Sequence, residues 1–108
     1  MTSGPNLGRG QIWWYESPHA KRRPVLVVTR DEAIPVLKFV LAVPTTTRAR
    51  GIRSEVRLGL DDGMPSECVL TLDNLQPVQK ALLTDHICTL PGEKLDAVCG
   101  ALKFVLDC

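Results

Sequence analysis

Two adjacent arginines at the start of an apolar run are the residues of this chain best suited to chemistry. Arg22 and Arg23 precede Pro24 and then four apolar residues, 25–28. Such a run is typical of a strand buried on both faces, and proline suits its first position. A rigid strand would hold the two guanidinium groups at its N-terminal end. A guanidinium is planar and can donate hydrogen bonds to two phosphate oxygens at once. The pattern is compatible with a phosphate site, and also with two solvated charges beside a strand.

Charge is unevenly distributed along the 108 residues. The net charge is only +1, but residues 21–57 carry nine Lys or Arg against three Asp or Glu. Acidic residues outnumber basic ones over residues 61–108. The basic half can therefore form a positive patch that the net charge conceals. Within it, three consecutive threonines make a hydroxyl-rich loop that turns basic at Arg48 and Arg50.

Short strands are expected to position these residues. Aromatic and β-branched runs, bounded by Pro, Gly and polar turns, predict a mainly β chain. The predicted strands span residues 9–16, 23–29, 37–44, 55–58, 68–78 and 86–90, with short helical segments at 30–34 and 79–85. The first two strands are expected to pair as an antiparallel hairpin. Asp73 and Asn74 interrupt the 68–78 run, which predicts a bulge or a site position.

The segment after Pro91 predicts one amphipathic helix. Its apolar residues recur at helical spacing and form a single stripe, expected to be core: Leu95, Val98, Cys99, Leu102, Val105 and Leu106. Strands and helix together predict a small, strongly bent antiparallel β-barrel with the helix packed on it. The chain is expected to form one domain over residues 1–108, with residues 1–8 disordered.

The cysteines do not predict a metal site. All four are widely spaced, without a Cys-x-x-Cys pair or a His-containing metal motif. The first twenty residues are polar and contain Pro and Gly, unlike a signal peptide. No apolar run approaches the ~20 residues of a membrane-spanning helix. A cytoplasmic protein with reduced cysteines and no cofactor is expected.

An ordered set of short motifs resembles the MazF/PemK family of toxins from type II toxin–antitoxin systems. The motifs are Arg9-Gly10-x-Ile12-Trp13, Arg23-Pro24-Val25-Leu26-Val27-Val28, Val43-Pro44-x-Thr46-Thr47, Ser54-Glu55-Val56 and Asp73-Asn74-Leu75. Each is weak alone, but their order and spacing across nearly the whole chain are specific. The resemblance implies an SH3-like small β-barrel of the CcdB/Kid (PemK) toxin type, a homodimer and a MazE-like antitoxin. It also implies a metal-independent, sequence-specific endoribonuclease that cleaves single-stranded or loop RNA, whether mRNA, tRNA or rRNA.

The same resemblance implies a catalytic pair. The family's catalytic arginine matches Arg23, and its catalytic Thr or Ser matches Thr46. In such enzymes the RNA 2′-hydroxyl attacks the adjacent phosphate and leaves 2′,3′-cyclic phosphate and 5′-hydroxyl ends. A guanidinium and a hydroxyl aimed at the nonbridging oxygens would stabilise the charge that builds there. Arg23 is expected to act through its charge rather than as a base, because a guanidinium keeps its proton. Proton donation from Arg23 to the leaving 5′-oxygen is an additional role that stays open.

Other residues are candidates by position. His19, in the loop before Arg23, is a possible general base or a plain loop histidine. The candidates for RNA binding are Lys21, Arg22, Thr45, Thr47, Arg48, Arg50 and Asn74. Arg57 alternates within a strand and is expected on its solvated face. Of Trp13 and Trp14, at most one is expected in the core, because adjacent strand residues point to opposite faces.

Two further points stay open at this stage. Any one of the three consecutive threonines could supply the working hydroxyl. The function also has two alternatives, a CcdB-like toxin that binds DNA gyrase without catalysis and a non-catalytic RNA-binding module. Gyrase binding does not need an Arg–Thr site, so the presence of both residue types favours the ribonuclease.

Overall fold

A computed structural model describes residues 6–107 of the chain. Its strands are β1 (Gln11–Tyr15), β2 (Arg23–Val27), β3 (Phe39–Thr46), β4 (Glu55–Leu58), β5 (Cys68–Thr71), β6 (Gln76–Gln79) and β7 (Leu83–Thr89). The helix α1 spans Gly92–Leu106. Short 3-10 helices lie at Ile34–Val36, Leu60–Asp62, Leu72–Asn74 and Lys80–Leu82. Most of the expected disordered segment lies outside the described residues, and Leu7 packs against the core.

The strands form an antiparallel sheet in the order β4-β5-β3-β2-β1-β7. β1 and β2 pair as the predicted hairpin. β3 is the shared strand, because its first half pairs with β6 and its last residues, Thr45 and Thr46, pair with β5. The predicted mainly β fold with a C-terminal helix is confirmed. The strand order ends at β4 and β7, so over residues 6–107 the sheet is open rather than closed into a barrel.

The predicted strand at residues 68–78 is two strands separated by a turn. Ser54 holds that turn, since its hydroxyl donates to the Asp73 carboxylate at 2.5 Å and its carbonyl accepts the Leu72 N–H at 2.9 Å. The interruption predicted at Asp73 and Asn74 is therefore a 3-10 helix. β7 begins at Leu83, earlier than predicted, because the pairing with β1 continues to Tyr15.

Apolar residues pack on both faces of the sheet. Leu26 and Val43 belong to the cluster beneath α1, whereas Val25 and Val27 belong to the cluster on the opposite face with Val40. This alternation confirms the prediction that the strand after Arg23 is buried on both sides. The backbone at Arg23 is thus fixed by two packed clusters rather than one.

The helix buries most of its predicted stripe. Val98 is buried, and Leu95, Leu102 and Val105 pack against the cluster beneath it. The expectation is wrong at Leu106, the last helical residue, which is 57% exposed, and Ala101 is buried in the stripe instead. Within the described part of the chain, no helix combines the length and apolar character needed to cross a membrane.

Candidate active site

Arg23 and Thr46 lie at neighbouring strand ends, since Arg23 begins β2 and Thr46 ends β3. β2 and β3 pair up to Val25 and Pro44, and one residue further along the Thr45 hydroxyl donates to the Pro24 carbonyl at 3.2 Å. Arg23 and Thr46 come next on the two strands, and both line the same cleft. The fold therefore brings together two residues that are far apart in the sequence.

A cleft of about 240 Å³, here the central cleft, opens at this pair. Arg22, Arg23 and the three consecutive threonines line it, as do Trp14, the segment 64–66 and Cys68. Sequence reasoning missed the segment 64–66 and Cys68 as cleft residues. The only signal there was a turn pattern rich in Asp, Gly and Pro, which predicts a loop but not its neighbours.

The three threonines have different roles. Thr45 is buried, and its hydroxyl donates to the Pro24 carbonyl at 3.2 Å. Thr46 is half-buried, and its hydroxyl accepts the Arg48 N–H at 3.2 Å, which leaves its own proton available to a ligand. Thr47 is exposed. The geometry favours Thr46 as the hydroxyl that meets a substrate.

The two arginines also differ. Arg22 Nη2 lies 2.9 Å from Asp85 and its Nε 3.2 Å from Glu16, and its guanidinium lies 4.2 Å from the Trp14 ring centroid. We call these four residues the Arg22 clamp. Arg23 is exposed and makes no ion pair with any residue in the range 6–107. Arg22 is held by the scaffold, whereas the Arg23 guanidinium is available to an anion.

Arg23 stands between two cavities. A second cleft of about 210 Å³, here the side cleft, is bordered by Arg23 together with Tyr15, Lys21 and Gln76. Lys21, a predicted RNA-binding residue, thus lies at the side cleft rather than the central one. A phosphate held at Arg23 would have a cavity on each side for the flanking nucleosides.

Several predicted candidates line neither cleft. His19 is exposed in the loop between β1 and β2, and neither cleft is lined by it. Arg48 and Arg50 are exposed in the loop after β3, and Asn74 is exposed in the 3-10 helix before β6. The structure therefore gathers Arg22, Arg23 and the threonines in the central cleft, whereas His19, Arg48, Arg50 and Asn74 line neither cleft. Arg48 meets the site through its backbone N–H, which donates to Thr46.

The loop after β3 is fixed by a carboxylate. Glu55 accepts the Arg50 N–H at 2.9 Å and the Gly51 N–H at 2.9 Å. These backbone donors, that of Arg50 first, lower the pKa of Glu55 from its usual value. The carboxylate thus stays ionised and anchors the loop that begins at Thr46.

Cys68 is not poised as a nucleophile. Burial raises the pKa of its thiol, and the charge of Glu67 raises it further. A neutral thiol is a poor nucleophile. The central cleft is thus equipped with a guanidinium and a hydroxyl donor, which bind and stabilise negative charge, rather than with a thiolate.

Comparison with known proteins identifies relatives. The family model described as "PemK-like, MazF-like toxin of type II toxin-antitoxin system" matches residues 8–106. The chain is 39% identical over 109 residues to "Probable endoribonuclease MazF5" of Mycobacterium tuberculosis, with coverage of 100% of this chain and 98% of that protein.

Solved structures give the same result. The "Mycobacterium tuberculosis toxin MazF-mt6" is similar with a TM-score of 0.82 and 30% identity, over 90% of this chain and 96% of that one. A chain of the MazE–MazF crystal structure (Form-III) from Deinococcus radiodurans is similar with a TM-score of 0.80 and 27% identity, over 94% of this chain and 96% of that one. Since sequence and structure agree over nearly the whole length, the chain belongs to the PemK-like, MazF-like toxins of type II toxin–antitoxin systems.

Proposed function

We propose that this protein is a metal-independent endoribonuclease toxin that cleaves single-stranded or loop RNA in the cytoplasm. The observation that carries the proposal is the presence of Arg23 and Thr46 together in the lining of the central cleft. Its relatives support it, because one bears the name "Probable endoribonuclease MazF5" and another was solved with MazE. A single domain, a homodimer and a MazE-like antitoxin are part of the same proposal.

In this mechanism the scissile phosphate binds over Arg23 and Thr46. The 2′-hydroxyl attacks the phosphorus and loses its proton to solvent, while the P–O5′ bond breaks and the departing 5′-oxygen takes up a proton from solvent. Arg23 holds the nonbridging oxygens through its fork, and the Thr46 hydroxyl donates to one of them. Both donors sit on paired strands, so they are in position before charge develops, which is the condition for strong transition-state stabilisation.

The test is incubation of the purified protein with a varied pool of single-stranded RNA in the presence of EDTA. We expect cleavage, with products that carry 2′,3′-cyclic phosphate and 5′-hydroxyl ends by mass spectrometry. Intact RNA across the pool would refute the proposal. Inhibition of DNA gyrase without any RNA cleavage would favour the non-catalytic alternative instead.

Substitution at Arg23 links the activity to the site. Arg23→Ala removes a donor to the phosphate, and such a loss lowers the rate about 100–1,000-fold. Arg30→Ala is the matched control, because Arg30 is also exposed, pairs with Glu32 at 3.3 Å and borders neither cleft. Full activity in Arg23→Ala would show that the catalytic residue is misassigned.

A further inference from the structure

A cationic groove lies between the edge strand β4 and the helix α1. It encloses about 480 Å³ and is bordered by Arg53, Arg57, Lys94 and Phe104, with Gly100 on the helix side. We call it the helix groove. None of these residues lines the central cleft or the side cleft, so the groove is separate from both.

The groove combines unneutralised charge with an aromatic ring. The Arg53 guanidinium lies 4.4 Å from the Phe104 ring centroid, and Phe104 is 48% exposed. Among the described residues, neither Arg53 nor Arg57 has a carboxylate within ion-pair distance. A basic groove with aromatic or guanidinium planes is the usual way of binding a single-stranded nucleic acid.

Two other charged groups adjoin the groove without cancelling it. Lys94 Nζ donates to the Arg57 carbonyl at 2.7 Å and lies 3.7 Å from Asp62, so its charge is partly shared. Glu55 borders the groove and keeps its negative charge while it accepts N–H groups from the loop after β3, so three cationic side chains border the groove with one carboxylate. The two arginines therefore keep the groove positive.

The sheet register connects the groove to the catalytic pair. Thr46 pairs with Val69 of β5, and Val69 pairs with Arg57 of β4. Residues paired in this way share a face, and adjacent strands are about 4.7–4.9 Å apart. Arg57 thus lies two strand spacings from Thr46, or about 10 Å, on the face opposite Val56 and Leu58. It borders the helix groove because β4 is the last strand of the sheet order. A few nucleotides of an extended RNA strand would bridge that distance.

We infer that the helix groove binds the part of the RNA strand that flanks the scissile phosphate, with Arg57 and Arg53 on phosphates and Phe104 beside a base. This inference rests on the proposed function. Single-stranded sites on small β-domains cover about 4–16 nucleotides, so one such site can extend from the central cleft into the groove.

Glycines on the helix allow a clean test. A Cβ added at Gly100 or at Gly92 meets no atom within 4 Å, and only Gly100 borders the groove. Gly100→Glu adds bulk and negative charge at the groove from a position where a Cβ has free space, and Gly92→Glu is its control with the same change in net charge. Both replace a helical glycine by a better helix former, so both variants are expected to fold.

The measurement is the Kd for two fluorescent 2′-O-methyl RNAs, of about 4 and about 20 nucleotides. The short RNA matches the smallest known site size and the long RNA exceeds the largest. This RNA lacks the nucleophile, so binding is read without cleavage. Gly100→Glu is expected to weaken binding of the long RNA about tenfold, as for the loss of a stacked base, and to leave the short RNA unchanged. Gly92→Glu should bind both as the wild type does.

The salt dependence gives a second readout. The double variant Arg53→Gln/Arg57→Gln should reduce the slope of log Kd against log salt for the long RNA by about 1.4, since each phosphate contact contributes about 0.7. An unchanged slope would overturn the assignment of these arginines to phosphates.

Other results would overturn the inference as a whole. Wild-type affinity of Gly100→Glu for the long RNA would do so, as would equal weakening for both lengths. A change in sedimentation mass in Gly100→Glu alone would assign the groove to contacts between copies of the chain. If the wild type cleaves no RNA, the proposed function fails, but the Kd comparison still decides the groove.

Discussion

Replacing Arg22 and Arg23 one at a time is expected to give opposite phenotypes, although the two residues are adjacent in the chain. Arg22 is held by Glu16, Asp85 and Trp14, whereas Arg23 makes no ion pair among residues 6–107. Arg22→Ala should therefore lower stability more than activity. Arg23→Ala should lower activity and leave stability almost unchanged.

The magnitudes follow from these contacts. Arg22, Glu16 and Asp85 have side chains 45%, 49% and 66% exposed, so solvent screens both ion pairs. Exposed ion pairs contribute about 0.2–1 kcal/mol each, and an exposed cation–π contact about 0.5–1 kcal/mol. Arg22→Ala should thus cost about 1–3 kcal/mol in free energy of unfolding. In a domain of this size each kcal/mol lowers the Tm by about 4–8 °C.

Arg23→Ala loses no ion pair, so its free energy of unfolding should stay within about 0.5 kcal/mol of the wild type. Its cleavage rate should fall about 100–1,000-fold, because a donor to the phosphate is lost. The assays are thermal unfolding and single-turnover cleavage of one RNA, run on both variants. Asp85→Asn is the control for the clamp, since it removes one partner of Arg22 and leaves the arginine in place.

Salt provides an internal check. At 1 M ionic strength the Debye length is about 3 Å, so the exposed ion pairs of the clamp lose much of their effect. The difference in Tm between wild type and Arg22→Ala should shrink there. The reasoning is refuted if Arg22→Ala abolishes cleavage at unchanged Tm while Arg23→Ala cleaves as the wild type does.

Three further predictions concern the hydroxyl, a loop carboxylate and two thiols. Thr46→Val keeps the side-chain shape and loses the hydroxyl, so single-turnover cleavage should slow about 100–1,000-fold, whereas Thr47→Val should change it little. Backbone N–H donors lower the pKa of Glu55, so its contribution to stability is present above the unfolded value and is lost as the pH falls through the folded value. Urea unfolding at decreasing acidic pH should show a smaller loss of stability in Glu55→Gln, and an equal loss would contradict the assignment. Burial raises the pKa of Cys68 and Cys88, so their contribution is complete below the ordinary thiol value of 9.0 and falls as the pH rises towards the folded values. Urea midpoints of Cys88→Ala should fall less steeply above that pH, and an identical slope would exclude the thiol as the cause.

Much of the fold could be predicted because local patterns were strong. The apolar run after Arg23 contributes residues to both clusters. The bounds predicted for β4 agree with the structure. The barrel closure was not predictable in the same way, because it depends on whether β4 and β7 meet, and no local pattern encodes that. The exposure of Leu106 likewise depends on where the helix leaves the sheet.

The site was predictable only in part. Motif order identified Arg23 and Thr46, but the pairing of β2 with β3 that places them together is a long-range contact. The Arg22 clamp could not be foreseen, because Asp85 lies in β7 and reaches Arg22 only through the pairing of β7 with β1. The choice among the threonines needed the hydrogen bonds of Thr45 and Thr46.

The division of the sheet at β3 has a consequence for how the rate can be tuned. Over residues 6–107, strand pairing joins the hairpin of β4 and β5 to the remaining strands at Thr45 and Thr46, the last residues of β3. Adjacent strands are twisted relative to one another, and that angle varies with side-chain packing. A substitution inside this hairpin, as at the buried Leu58, would rotate the end of β3 against β2 and change the separation of Arg23 from Thr46. Turnover would then respond to residues that never touch RNA.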